Sequence, residues 1–330
     1  MQNPQNSDLI GKGKFSQVYR KKDASGNYSA VKQFPVESFE EMKKESNIHR
    51  FIPENEHILK FINQDFERRT ISTEYCEMGS LETEYSSDGA EFTVTETIQF
   101  ARDVILGVQH LHDSEIIHGD LAARNVLLKN GRVKICDFGR SKSTRSHINS
   151  RNIRKFSRKC LSKCIPFEKS DNPRDIYPIR WFNYQLLSGK QSCVSKKSDI
   201  WAFGVLIWEL FTCCLELPYD SVLTTCDTGS IKMYLKHGYR LNKPECMPEL
   251  FYLMVVKCWA KNLDHQIRVE ELDVRLQQFG KSKDYENILV SKTNFADTMI
   301  QTKIQGAIEG NEYTINRQGE CDNELLLVRT

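Results

Sequence analysis

His118, Gly119, Asp120, Leu121, Ala122, Ala123, Arg124, Asn125, followed twelve residues later by Asp137, Phe138, Gly139, is the stretch that decides how this 330-residue chain reads. Two acids and an amide stand there at the spacing a magnesium-dependent phosphoryl transfer needs. Asp120 can accept the proton of an attacking hydroxyl, Asn125 can hold one Mg2+, and Asp137 can hold the ions that bridge nucleotide phosphates.

Just before that run, Phe100, Val104, Val108 and Leu111 mark one face of a long helix. Farther back, residues 9–32 read as three short strands punctuated by Gly11, Gly13 and Gly26, and 38–51 as a helix closed by Pro53. Beyond the run, residues 140–174 are polar and basic with Glu168 and Asp171 as the only acids, which reads as a mobile loop. Helical patterns resume at 199–212, 231–237, 249–260 and 270–279. Gly280 and Lys281 then open a tail without strong periodicity, so the folded unit is expected to end near 280.

Composition excludes more than it suggests. With 39% hydrophobic and 27% charged residues the chain is globular, and a formal charge of +2 gives no general attraction to nucleic acid or membrane. The eleven Cys include no CxxC pair of the zinc or redox kind and are expected as buried free thiols. The amino terminus has no signal-peptide pattern, and no apolar stretch reaches the roughly twenty residues of a membrane span.

Gly11, Lys12, Gly13, Lys14, Phe15, Ser16, Gln17, Val18 follows a predicted strand, where glycines let backbone N–H groups approach phosphate oxygens. Ser16 replaces a third glycine, and alone the segment fits an empty hairpin turn equally well. Ala30, Val31, Lys32 on the following strand decides between them, with Lys32 placed to reach the phosphates and Ala30 and Val18 to line adenine.

From these residues the chain resembles the catalytic domain of eukaryotic protein kinases over about 8–280. Ser198, Asp199, Ile200, Trp201, Ala202, Phe203, Gly204, Val205 and Cys258, Trp259 add to the likeness. The resemblance implies an α+β, two-lobed fold: a small mainly-β N-lobe with one helix (8–76) and a larger mainly-α C-lobe (77–280). A leader (1–7) would precede it, a tail (281–330) follow it, and a long basic activation loop occupy about 137–185. It implies ATP and Mg2+. Asp120 would be the base, Asn125 and Asp137 the metal ligands, Lys32 the phosphate ligand, and Arg124 the group positioning the acceptor. Ile10, Gly11, Gly13, Val18, Ala30 and Leu127 would enclose the nucleotide. Thr73 would be the gatekeeper, with the backbone of Glu74 and Cys76 binding adenine. Both Glu41 and Glu45 are available to orient Lys32. Glu45 fits the family spacing, although it puts His49 where an apolar packing residue is usual.

Ala122, Ala123, Arg124 is similar to the tyrosine-kinase form, as are Pro178, Ile179, Arg180, Trp181 and Gly238, Tyr239, Arg240, Leu241 with Pro244. The order Ala-Ala-Arg is more like receptor-type enzymes. The implied partners are protein substrates bearing tyrosine, and phosphotyrosine-binding domains at Tyr285 or Tyr313, with no nucleic acid. The implied location is cytoplasmic or peripheral at the plasma membrane.

The departures are as informative. Gly119 replaces the Arg that in most family members pairs with a phosphorylated loop residue, and residues 140–176 contain no Tyr, the first being Tyr177. Tyrosine phosphorylation of this loop is therefore expected not to switch the protein on. Gln185 and Gln266 replace both partners of a buried Glu–Arg pair, and a hydrogen bond between the two amides is expected. Arg151, Arg154, Lys155, Arg158 and Lys159 either form a solvated run or attract acidic substrates or anionic lipid. Ser16, Gly119 and Gln185 also motivate a competing class, a pseudokinase acting as a binding scaffold.

Overall fold

The computed structural model describes residues 7–13, 16–144, 179–189, 194–290, 301–306 and 313–318. Lys14, Phe15, the basic side chains 151–159 and Tyr177 with Pro178 lie outside the described residues. Within them the α+β, two-lobed architecture implied by the sequence is present: a sheet-based part with one long helix, then a helical part.

The sheet is antiparallel with order β1-β2-β3-β5-β4, built from β1 (Ser7–Lys12), β2 (Gln17–Lys22), β3 (Tyr28–Gln33), β4 (Phe61–Asp65) and β5 (Thr70–Glu74). The β2–β3 turn closes because the Asp23 carboxylate accepts the N–H groups of Ser25 and Asn27, while Gly26 takes φ +89°. Register carries the rest. Gly11 faces Val18, Val18 faces Lys32, and Ala30 faces Thr73, so these side-chain positions share one face of the sheet. Helix α1 (Phe39–His49) contributes Met42 to a core with Phe34 and Ile71.

Helix α2 (Leu81–Ser86) is followed by α3 (Val94–Asp113), which bears the apolar stripe read from sequence. At Gly107 a Cβ would lie 2.8 Å from Ile135 Cδ1 and 3.1 Å from the His57 carbonyl. Glycine there lets α3 approach the hairpin of β7 (Val126–Lys129) and β8 (Arg132–Ile135). A short pair, β6 (Ile116–Ile117) with β9 (Lys142–Ser143), encloses the catalytic-type run.

The helical part holds α4 (Tyr184–Leu187), α5 (Lys196–Phe211), α6 (Thr228–Lys236), α7 (Glu249–Cys258) and α8 (Val269–Gly280). Helix α5 is buried from Ser198 to Phe211, as a helix apolar on all sides must be. Gly204 faces Trp259, whose indole N–H donates to the Trp201 carbonyl at 3.3 Å.

Two features differ from expectation. The packed chain continues past 280: the Ile288 carbonyl accepts Val94 N–H at 2.7 Å, Val290 N–H donates to Phe92 at 2.8 Å, and Val290 is buried. A second hairpin, β10 (Gln301–Gly306) with β11 (Tyr313–Gln318), lies in the tail, with Tyr313 paired to Gly306. The Gln185–Gln266 bond is also corrected. Gln266 Nε2 donates instead to the carbonyls of Lys197 (3.0 Å) and Cys258 (2.8 Å), and Gln185 Nε2 to that of Lys261 (3.5 Å). Backbone acceptors satisfy each amide separately, so neither needs the other, and no orphan charge is left.

The cysteines among the described residues are free thiols, with Cys76, Cys213 and Cys258 buried. Among the same residues, no helix is long and apolar enough to cross a membrane.

Candidate functional site

Lys32, on β3, reaches toward α1. Its ammonium donates to both Glu45 oxygens at 2.7 and 2.9 Å and to Asp137 Oδ1 at 3.1 Å. Glu41, one turn earlier on α1, makes no such contact among the described residues. One ammonium thus serves two carboxylates, and depth separates them: the Glu45 side chain is 8% exposed and that of Asp137 42%. Burial pushes the Glu45 carboxyl up to about 7 against the pull of Lys32. Burial also opposes ionisation of Asp137, but Lys32 outweighs it and brings that carboxyl down to about 2. Lys32 would be depressed by burial alone, yet Asp137 and Glu45 together hold it raised and charged. The ion pair therefore has its weak point at Glu45, the acid that protonates first.

Asp137 has φ +61° and its Oδ1 accepts the Gly139 N–H at 3.3 Å, turning the chain into a 3-10 turn, Phe138–Arg140. A Cβ on Gly139 would lie 3.2 Å from Glu45 Oε2 and 3.3 Å from Asp137 Oδ1, so only a bare backbone fits beside both acids without displacement. Lys44 donates to the Gly139 carbonyl at 2.9 Å, a second tie from α1.

His49, the polar residue at an apolar place, is buried. Its Nε2 lies 2.7 Å from the Leu59 carbonyl, and its ring packs 4.6 Å from Phe138 and 5.4 Å from Phe61. Burial depresses its pKa to about 4, so the ring is neutral and donates through Nε2.

In the opening run, Asp120 Oδ1 accepts from Arg124 at 2.7 Å, and the Asp120 carbonyl accepts from Asn125 Nδ2 at 2.7 Å. Arg140 Nε stands 3.3 Å from Asp120 Oδ2. His118 accepts the Asp120 N–H at Nδ1 (3.3 Å) and faces the Cys136 carbonyl with Nε2 (3.0 Å), fixing its tautomer. Gly119 has φ +77°, a left-handed conformation that an Arg would adopt only with strain.

The other residues singled out lie on the sheet and its continuation. Gly11, Val18, Ala30, Lys32 and Thr73 share one face, Thr73 buried, while Ile10 is 45% exposed. Gly13 N–H donates to Ser16 at 2.8 Å, closing the glycine turn. Neither glycine has a positive φ, and a Cβ on either would meet only ordinary contacts, so their bareness leaves open backbone. Past β5, Cys76 is buried, and Leu127 on β7 bridges Ser80.

Three residues that carry this geometry escaped the sequence reading. Lys129 and Lys134 clamp the Glu74 carboxylate at 2.8 and 3.0 Å; burial would raise that acid, but these bonds and the Lys60 N–H hold it lowered. Glu209, buried on α5, accepts the Ala123 N–H at 3.1 Å and the Trp181 indole N–H at 2.9 Å. A lone acid in the apolar run 200–211 was its available signal.

Chemically the arrangement offers a carboxylate held by a guanidinium, a buried ammonium with two acids, and hard oxygen donors at Asp137 and Asn125. The Asn125 amide nitrogen is committed to Asp120, leaving its oxygen for a cation, and Asp137 is ionised and part exposed. Few protein oxygens, with the rest of the shell left to water and phosphates, suit Mg2+.

The sequence pattern of the family described as protein tyrosine and serine/threonine kinase matches residues 5–276. The chain is 27% identical over 238 residues to ephrin type-A receptor 5 of Rattus norvegicus, covering 70% of this chain and 20% of the receptor. It is 29% identical over 238 residues to platelet-derived growth factor receptor alpha of Takifugu rubripes, covering 72% and 19%. To tyrosine-protein kinase csk-1 of Caenorhabditis elegans it is 32% identical over 191 residues, covering 57% and 30%. The chain spans about a fifth of the length of the receptors it matches.

Proposed function

This chain belongs to the protein tyrosine and serine/threonine kinase family, and from that premise we propose that it is an active ATP-dependent protein tyrosine kinase. The kinase domain of this reading covers residues 8–280, with 281–290 as a packed extension. The observation that carries it is the assembled cluster of Lys32, Glu45 and Asp137 together with an Asp120 held by Arg124.

In this reading Asp120 accepts the proton of the tyrosine hydroxyl as the oxygen attacks the γ-phosphorus, and Arg124 fixes the orientation of that carboxylate. Lys32 binds the α and β phosphates, and Glu45 keeps its ammonium aimed. Asn125 and Asp137 hold the cation, which when bound neutralises charge on the phosphate oxygens. Gly11, Gly13, Val18, Ala30, Thr73, Leu127 and the backbone of Glu74 and Cys76 receive the nucleotide. The substrates are proteins bearing tyrosine, met in the cytoplasm or at its membrane surface, and Tyr285 and Tyr313 are candidate docking sites for phosphotyrosine-binding domains. Gly119 and a tyrosine-free stretch 140–176 support activity without loop tyrosine phosphorylation.

The test is phosphate transfer from ATP with Mg2+ to a tyrosine polymer, comparing the protein with Asp120→Asn. Transfer by the parent and its loss in the variant are expected. Equal transfer by both, or none by either, would leave the scaffold reading, and phosphoserine in place of phosphotyrosine would overturn the acceptor.

A further inference from the structure

We propose that Arg140 is a carboxylate receptor beside Asp120 and sets a preference for substrates carrying an acid next to the target tyrosine, an inference that rests on the tyrosine-kinase reading above. Asp120 faces two guanidinium groups, Arg124 at Oδ1 (2.7 Å) and Arg140 at Oδ2 (3.3 Å). One carboxylate against two cations leaves an excess positive charge at the place an acceptor hydroxyl must reach. Since Arg124 occupies Oδ1, the hydroxyl approaches Oδ2 and meets Arg140 there.

The backbone of Arg140 is fixed on both sides. Asp137 Oδ1 accepts the Gly139 N–H, Lys44 donates to the Gly139 carbonyl, and Ser141 Oγ donates to the His118 carbonyl at 2.9 Å. Its side chain, by contrast, is about a third exposed (32%), and Nε is the only atom with a partner among the described residues. The two terminal nitrogens of its planar fork are therefore open to a carboxylate, which a guanidinium grips in bidentate fashion. An acid adjacent to the acceptor tyrosine would take that fork and draw Nε away from Oδ2, freeing the base. A peptide without the acid must compete with Arg140 for the same oxygen. The phosphates already have Lys32 and the cation that Asn125 and Asp137 would hold, which favours the peptide as the source of the anion.

The experiment uses the full chain and two tyrosine peptides that differ only in Glu or Gln beside the acceptor. The parent should favour the Glu peptide in kcat/KM by about fivefold, the scale of a partly exposed ion pair, chiefly through KM. Arg140→Gln should reduce that ratio below about twofold while raising turnover of the Gln peptide, and Arg140→Lys should retain part of it. The same peptides with Phe in place of Tyr are titrated by fluorescence anisotropy with a non-hydrolysable ATP analogue and Mg2+. An affinity preference lost in Arg140→Gln upholds the receptor even where no form transfers phosphate, a result that would sink only the kinase reading. An unchanged preference in Arg140→Gln, or no preference in the parent in either assay, overturns the proposal. So does an equal loss on both peptides with a matching fall in acceptor-free ATP hydrolysis, which would assign Arg140 to the phosphoryl group.

Discussion

Glu45→Gln probes the Lys32 cluster most directly. The amide keeps the length of the side chain and one acceptor oxygen but removes the charge that Lys32 meets at 2.7 and 2.9 Å. Deleting one partner of a buried ion pair costs about 3–5 kcal/mol. Here the ammonium keeps 20% side-chain exposure and a second carboxylate at 3.1 Å, so the loss is smaller. A reduction of about 10- to 100-fold in kcat/KM for ATP, about 1.4–2.8 kcal/mol, is expected in steady-state transfer to a tyrosine polymer. The pH profile carries the sharper signature. Because burial raises the Glu45 carboxyl to about 7, acidification through that value protonates it and dissolves the pair, so the parent loses kcat/KM below pH 7. The variant, neutral throughout, lacks that limb. Stability moves the other way: the folded state holds this proton more tightly than the unfolded chain, so ionisation between 4.5 and about 7 removes stability as pH rises. A variant within twofold of the parent, or one that keeps the same acid limb, would refute this account of the cluster.

Gly204→Ala places a Cβ 2.6 Å from Trp259 Nε1 and 2.9 Å from Cys258 Cβ. Overpacking of about 1–3 kcal/mol should lower Tm by roughly 3–10 °C in a thermal melt, and an unchanged Tm would contradict it. Glu209→Ala strands the Trp181 and Ala123 donors at about 1–3 kcal/mol each, read as a lower denaturant midpoint. Glu209→Gln should recover part of that loss. Tyr177→Phe should leave kcat/KM unchanged, and a tenfold fall would restore loop tyrosine phosphorylation as the switch.

What the sequence disclosed was what chemistry forces into one short run or one strand register. Asp120, Asn125 and Asp137 fall in a stretch where their types and spacing are constrained together, and Val18, Ala30 and Lys32 follow from strand alternation. Family spacing favoured Glu45 over Glu41, but the contact with Lys32 depends on the phase of α1, which the sheet and Phe138 set from outside the helix. The amides of Gln185 and Gln266 were paired on position alone, but sequence does not reveal which backbone carbonyls lie nearer. The extension to Val290 rests on a few bridging hydrogen bonds to residues 92–94, too short a pairing to leave periodicity. Arg140 is one basic residue at the head of a basic run, and only its distance to Asp120 sets it apart.

His49 bears on how α1 is held in this kinase domain. An aliphatic side chain in its place would let α1 slide, because dispersion contacts re-form after small shifts. The neutral imidazole adds a directional bond to Leu59 while packing at a tilt against Phe138, so displacing the helix leaves a buried donor and acceptor unmatched. Withdrawing α1 would forfeit about 1–3 kcal/mol at this one contact. The buried imidazole thus ties α1 to the segment that leads into β4 by a directional bond as well as by packing.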